Sequence, residues 1–173
     1  MKPIRFLLQA VTIVTLFVLV SNCKKDDGSD NKTDVKLYNM ATETSGFSWY
    51  KNSDALLQKS ILSGHSEAFL RTRYNAIAAE KLDESGKVQN SIIFPNGSLI
   101  VKELYSDQST LAKYAILYKD PENSYADSDG WVWGYLEANG TVVEPSSNKG
   151  NACISCHNHE GNINKTLMNV AIP

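Results

Sequence analysis

The amino-acid sequence predicts an α+β domain in which a mainly antiparallel β-sheet follows one or two N-terminal helices. Two observations carry this prediction. Runs of β-branched and aromatic residues recur between residues 69 and 143, and the patterns with helical spacing begin ahead of most of them. Asn139-Gly140 between two of these runs is typical of a tight hairpin, which joins antiparallel strands. The same pattern disfavours a four-helix bundle.

The helical patterns come first along the chain. Ser53 and Asp54 are suited to begin a helix, and Gly64 is suited to end it. A shorter helical piece is predicted over residues 75–82, ended by the polar turn 83–86. The apolar positions that support the first helix are Leu56, Leu57, Ile61 and Leu62.

The strands are predicted from the runs that remain. Residues 69–74, 98–105 and 114–119 are rich in β-branched and aromatic side chains. Residues 131–137 place Trp131, Trp133 and Tyr135 on one face, and the hairpin at Asn139-Gly140 then leads into residues 141–143.

The composition limits the class of protein. The chain has 173 residues, of which 42% are hydrophobic and 21% charged, which suits one domain with a real core. These values exclude a collagen, a disordered tail, a disulfide-dense miniprotein and a polytopic membrane protein. The net charge of −2 is too small to indicate a nucleic-acid surface, so no nucleic-acid partner is expected.

The N-terminal residues have the pattern of an export signal. Lys2 and Arg5 precede an apolar run over residues 6–20, which is short for a membrane span and suits a secretory signal. The following Val20-Ser21-Asn22-Cys23 resembles a bacterial lipobox, in which the signal is cut before a Cys that receives lipid. Asn22 departs from the small residue usual there, so an ordinary cleaved signal with a free thiol at Cys23 is the alternative.

The expected organisation has three parts. Residues 1–22 form the lipoprotein signal, and residues 23–34 are polar enough to form a flexible tether. Residues 35–173 form the folded domain, exported to the periplasm or cell surface and held on the outer membrane by lipid at Cys23. Without the signal the chain carries 15 basic and 19 acidic side chains, so the exported part is acidic.

One motif near the C-terminus carries chemistry. Cys153-Ile154-Ser155-Cys156-His157 has the spacing of a c-type haem attachment site. The two thiols would add to the two vinyl groups of one haem, and the adjacent imidazole would bind the iron. We therefore expect one covalent haem c, with His157 as axial metal ligand.

Three other interpretations of the motif remain to be weighed. A disulfide between Cys153 and Cys156 suits an oxidising compartment but leaves His157 unexplained. A thioredoxin-like centre expects a βαβ context that the sequence lacks. A zinc site using these residues and His159 would have ligands too close along the chain for a tetrahedral site.

Lys102 is unusual within its predicted strand. With a period of two it shares a face with Ile100 and Leu104, while Glu103 lies on the other face. A buried Lys should have a lowered pKa. The alternative is that its stem packs on the apolar face while its ammonium reaches water.

The strand segments and the Cys-X-X-Cys-His motif together resemble the cytochrome P-460 family, which includes the P-460 enzymes and the β-sheet cytochromes c-prime. The likeness runs from about Phe69 to His157. It rests on the segments 94–104, 114–119 and 130–133 ahead of the haem motif. The resemblance implies a mainly antiparallel fold, usually a homodimer, with His157 proximal and an open or weakly ligated distal side.

The resemblance also implies roles for individual residues. Lys102 matches a lysine that the P-460 enzymes, which oxidise hydroxylamine, link covalently to the haem edge. Arg71 and Tyr74 match a family Arg and Tyr, which makes Arg71 a further catalytic candidate beside Lys102. The sequence departs from the enzymes at Ala115, where they carry a glutamate in the distal pocket. A proton acceptor is therefore missing, and an enzymatic role stays open.

His65 is a weaker candidate. It follows Gly64 at a predicted helix end, where it would be a surface or dipole-stabilised histidine or a distal haem ligand. His159 lies too close to His157 in sequence to reach the opposite face of the same haem. The aromatic residues Phe69, Tyr114, Trp131 and Trp133 are expected to pack the core or the haem pocket.

These observations support three functions. The first is an exported monohaem c-type cytochrome that binds or transforms small nitrogen ligands such as nitric oxide or hydroxylamine. The second is an electron carrier with a redox partner protein and no substrate, and the third is a gas-binding or gas-sensing haem module. The sixth coordination position of the iron distinguishes them.

Overall fold

The computed structural model describes residues 32–172 of the chain. The predicted signal, Cys23 as the predicted site of lipid attachment, and most of the predicted tether lie outside these residues. None of the helices within them has the length and apolar character needed to cross a membrane. The helices are α1 (Lys32–Thr42), α2 (Ala76–Ala79), α3 (Ile154–His157) and α4 (Met168–Ala171), and the strands are β1 (Ser48–Trp49), β2 (Leu57–Gln58), β3 (Phe69–Tyr74), β4 (Leu99–Tyr105), β5 (Leu111–Lys119), β6 (Trp131–Glu137) and β7 (Val142–Glu144).

The seven strands form one antiparallel sheet in the order β1-β3-β4-β5-β6-β7, with β2 also paired to β3. Four consecutive strands, β3 to β6, make up its centre and are joined edge to edge in chain order. The predicted fold class, α+β with a mostly antiparallel sheet and few helices, is confirmed.

Alternation along the central strands gives the sheet two faces with different coverings. One face, here called the helix face, carries Val101, Ile116 and Val132, which pack with Leu37 and Ala41 of α1. The opposite face, here called the cavity face, carries the partners that alternate with them along β4, β5 and β6. Its buried residues are Ile100, Leu104, Leu117, Trp131 and Trp133.

Helix α1 is held on the helix face by a buried arginine. The guanidinium of Arg73, on β3, donates hydrogen bonds to the carbonyls of Ala41 and Glu43 at the C-terminal end of α1. These carbonyls have no partner within the helix, and a cation at the C-terminal end also interacts favourably with the helix dipole. Arg73 is fully buried, and its Nε donates to Glu103 Oε1 at 3.0 Å.

The helix predicted over residues 53–64 is wrong. This segment contains only the short strand β2, and its apolar residues share no buried face, since Ile61 is 98% and Leu62 50% exposed. The backbone N–H groups of Leu62 and His65 instead bond to the hydroxyls of Ser60 and Ser63. Such local side-chain bonds compete with helix formation.

The longest helix lies where the sequence indicated a tether and the start of the domain. α1 begins at Lys32, so the last three residues of the segment 23–34 are helical. Asp34 is buried there and accepts a hydrogen bond from the backbone N–H of Ser146 at 2.9 Å. A contact between residues so far apart in sequence leaves no local pattern that composition would reveal.

Candidate functional site

A cavity of about 360 Å³ opens on the cavity face of the sheet. The sheet forms its floor, and its other walls come from residues 60–65 and from the C-terminal segment 152–172. Its lining is mostly apolar and includes Cys153, Cys156 and His157. The motif residues therefore face one enclosed space together with part of the sheet.

A helical turn brings the three motif residues together. The backbone N–H of His157 bonds to the carbonyl of Cys153 at 3.1 Å, which is the i, i+4 bond of an α-helix. Residues three and four apart lie on the same face of a helix, so Cys153, Cys156 and His157 are neighbours. Both cysteines are free thiols. Within residues 32–172 no cluster of three or more His, Cys, Asp or Glu side chains is placed to hold a metal ion.

The His157 imidazole is fixed in one tautomer. Its Nδ1 lies 2.6 Å from the carbonyl oxygen of Lys165. A carbonyl only accepts hydrogen bonds, so Nδ1 must carry the proton and donate, which leaves Nε2 as a free lone pair. Burial lowers the pKa of His157 to about 4, so the ring is neutral at pH 7. A neutral imidazole whose other nitrogen is oriented by a carbonyl is the usual form of a metal-ligating histidine.

Trp133 of β6 packs against this turn. The His157 ring meets the Trp133 ring edge-on, with centroids 5.0 Å apart. The indole N–H of Trp133 donates to Asp127 Oδ2 at 2.8 Å, which holds the ring in place. Gly150, whose φ is +72°, passes directly over the indole, and a Cβ there would lie 2.6 Å from three ring atoms.

We expect Gly150→Ala to destabilise the protein more than Gly46→Ala. Both glycines have a φ of +72°, so the backbone cost of alanine is the same at both. Only at Gly150 would the methyl group overlap another side chain, since nothing lies within 4 Å of a Cβ at Gly46. The additional loss for Gly150→Ala should be about 1 to 2 kcal/mol, as is usual for overpacking. Urea unfolding of both variants measures it, and equal losses would contradict the contact.

Lys102 lies on the cavity wall as its spacing predicted. It is half-buried, and its Nζ makes no hydrogen bond or ion pair with any residue of the described chain. Burial alone lowers its pKa to about 8, the direction expected from the sequence. The side chain is therefore a weak base inside the cavity.

A row of cross-strand neighbours runs through Lys102. Thr72 on β3 and Ala115 on β5 lie directly opposite it on either side, and Tyr135 on β6 lies opposite Ala115. All four line the cavity. The wall position opposite Lys102 on β5 thus bears only a methyl group.

Arg71 does not line this cavity. It lies on the helix face of β3, where Nε donates to Glu103 Oε2 at 2.6 Å and Nη2 to the hydroxyl of Tyr105 at 2.9 Å. Strand alternation puts Arg71 and Lys102 on opposite faces of the sheet, because Lys102 pairs with Thr72. The catalytic candidate Arg71 is thus part of a buried ion-pair network away from the motif. Tyr74, in contrast, is buried on the cavity wall.

The remaining histidines occupy different environments. His159 is exposed, with its Nδ1 close to the carbonyl of Glu160. His65 lines the cavity, and its ring lies 5.7 Å from that of Tyr135. Burial and the nearby charge of Lys102 lower the pKa of His65 to about 3.

Two lining residues were missed by the sequence reasoning. Tyr135 was given no role, although its alternation with Trp131 and Trp133 placed it on the same face. Met168 follows the motif, is buried in the cavity wall, and its Sδ lies 3.3 Å from the hydroxyl of Thr72. No local pattern marks Met168, because the fold of residues 158–168 alone brings it to β3.

An antiparallel sheet that presents a Cys-X-X-Cys-His turn and a free imidazole nitrogen to an apolar cavity defines a class, the haem-binding cytochromes built on β-structure. The chain belongs to the cytochrome P460 family, whose model matches residues 48–165. The match begins with β1 and ends at Lys165, the residue whose carbonyl orients His157. No curated protein and no solved structure shows significant similarity to the chain.

Membership of this family makes haem the expected cofactor, and the residues present fit it. The cavity brings two free thiols and an oriented imidazole to one apolar space. Cys153 and Cys156 would hold the porphyrin edge, and Nε2 of His157 would bind the iron.

Proposed function

We propose that this protein is an exported monohaem c-type cytochrome that binds or transforms small nitrogen ligands such as nitric oxide and hydroxylamine. The observation that carries the proposal is the free Nε2 of His157, fixed by the Nδ1–Lys165 hydrogen bond beside two free thiols. When bound, the haem supplies an iron that takes small ligands and exchanges electrons. The chain supplies one axial ligand and a largely apolar cavity wall.

The cavity wall supports ligand binding more than catalysis. Lys102 is the cationic group of the wall, and with a pKa of about 8 it can donate a hydrogen bond or a proton to a bound ligand. Its opposite neighbour, Ala115, offers no carboxylate to accept protons from hydroxylamine. We therefore propose ligand binding as the main activity and hydroxylamine oxidation as at most slow. A covalent link between Lys102 and the haem edge would appear as an added mass and an altered Soret band that Lys102→Ala removes.

The spectrum of the reduced protein tests the proposal most directly. The full chain would be matured in a host with a cytochrome c assembly system, and we expect a haemochrome spectrum with two thioether links. Cys153→Ala should lose one link and Cys153→Ala/Cys156→Ala should lose covalent haem completely. Unchanged haem content in the double variant would contradict the attachment site.

Ligand binding separates this proposal from the electron carrier. The ferrous protein should bind nitric oxide and carbon monoxide, whereas a carrier with two permanent axial ligands would bind neither. Failure to bind either gas would favour the electron carrier, which needs only a redox partner protein. Binding of both gases without turnover of hydroxylamine would favour the gas-binding or gas-sensing module.

We also propose a lipid anchor at Cys23, a place on the outer membrane, and a homodimer. These proposals rest on the sequence of the first 23 residues and on the family resemblance. Cys23→Ser should move the protein from the membrane fraction to the soluble fraction, and sedimentation of the released protein would report its oligomeric state. Continued membrane association of Cys23→Ser would contradict the anchor.

A further inference from the structure

His65 is the second histidine that lines the cavity. The backbone of His65 is held at both ends, since its N–H bonds to Ser63 Oγ and its carbonyl accepts from Lys59 Nζ. Neither ring nitrogen bonds to any residue within 32–172, although the ring lines the cavity. A half-buried polar ring held in position without a partner is costly unless something binds it.

The two cavity histidines rest on neighbouring aromatic residues of one strand. The His157 ring lies 5.0 Å from Trp133, and the His65 ring lies 5.7 Å from Tyr135. Trp133 and Tyr135 are two residues apart on the same face of β6, which separates them by about 7 Å. Both imidazoles therefore lie against the same strand of the cavity floor.

One metal ion can be bound by two imidazoles at once, each through a metal–nitrogen bond of about 2 Å. The thiol of Cys156 lies beside the segment that carries His65, since a Cβ at Gly64 would be 3.5 Å from its Sγ.

The charge state of His65 is also that of a ligand. Only the neutral imidazole binds a metal, and burial lowers the pKa of His65 to about 3. Lys102 and His157 lie close enough to oppose a charge on His65, whereas Glu67 would favour one. Met168 competes less well, because its sulfur accepts the hydrogen bond of Thr72.

We propose that His65 is the second axial ligand of the haem iron, opposite His157, whenever no external ligand is bound. This inference rests on the proposed function only in needing haem held by Cys153, Cys156 and His157. A small ligand must displace His65 before it reaches the iron. The segment 60–65 thus controls access to the sixth coordination position.

The test compares His65→Ala with His159→Ala in the full haem-loaded chain. The starting protein and His159→Ala should be low-spin in the ferric state by absorption and electron paramagnetic resonance, whereas His65→Ala should be high-spin. Carbon monoxide should bind ferrous His65→Ala at least about tenfold more tightly, because the binding-competent state no longer competes with an internal ligand. Added imidazole should restore the low-spin spectrum of His65→Ala, which a merely misfolded variant would not do.

Three results would overturn the inference while leaving the proposed function intact. These are a high-spin ferric spectrum of the starting protein, a low-spin spectrum that persists in His65→Ala through Lys102 or Met168, and carbon monoxide affinities within twofold of each other. Absence of covalent haem from the starting protein would overturn the proposed function together with the inference. The two failures are therefore distinguishable.

Discussion

Replacement of Arg73 by methionine is expected to lower the free energy of unfolding by about 4 kcal/mol, in the range known for breaking a buried ion pair. Arg73 is fully buried and joins three partners, namely the carboxylate of Glu103 and the carbonyls of Ala41 and Glu43 at the C-terminal end of α1. Its loss leaves those carbonyls without a partner and Glu103 with one arginine instead of two. Helix α1 should consequently detach more easily from the sheet.

Arg71→Met is the matched control for Arg73→Met. Arg71 pairs with the same carboxylate, but its side chain is 26% exposed against 0% for Arg73, so water replaces part of what is lost. We expect Arg71→Met to cost about 1 to 2 kcal/mol. Guanidinium unfolding followed by circular dichroism measures both, and equal losses would contradict the role given to burial. Arg71→Met should also leave the haem spectrum unchanged, since Arg71 lies on the helix face.

Replacement of Lys102 by methionine is expected to stabilise the protein at pH 7 by up to about 3 kcal/mol. The folded protein lowers the pKa of Lys102 from 10.5 to about 8, so between these values the unfolded chain binds more protons than the folded one. Stability of the unsubstituted protein should therefore rise as the pH increases from 8 to 10.5. Below pH 8 the cost of burying the ammonium is present in full.

The measurement is the pH dependence of urea unfolding. The free energy of unfolding of Lys102→Met should not rise between pH 8 and 10.5. The difference in stability between Lys102→Met and the unsubstituted protein should therefore become smaller across that interval. Lys32→Met, at an exposed lysine of α1, serves as control and should follow the unsubstituted protein. Parallel curves for the unsubstituted protein and Lys102→Met would show that Lys102 keeps its ammonium in water.

Much of the sheet follows from local patterns. Strands β3 to β6 were predicted within a few residues, because alternation of apolar residues is a property of each strand alone. The hairpin at Asn139-Gly140 was predicted from the turn preference of these two residues, which is also a local property. The capping side chain of Asn75 begins α2 where the sequence placed it. The helix over residues 53–64 failed because its apolar residues find no common surface to cover.

Some features of the site were likewise predicted from local spacing, and others were not. Spacing predicted the motif of Cys153, Cys156 and His157 and the inward direction of Lys102, since each depends on residues a few positions apart. Three other features could not be predicted from spacing. These are the orientation of His157 by Lys165, the position of Arg71 away from the cavity, and the contact of His65 with Tyr135. Each of these depends on which segments pack together.

Local patterns in the sequence therefore specify the Cys-X-X-Cys-His motif and the alternation of the strands. Which titratable groups share the cavity with the motif depends on how distant segments pack together. Pairing of β3 to β6 put Lys102, Ala115 and Tyr135 in one row, and the irregular segment 60–65 added His65 to it. Burial by distant segments then sets the charge states of Lys102 and His65. Loss of contact with water lowers the pKa of both side chains, and how much water each one loses depends on the whole fold.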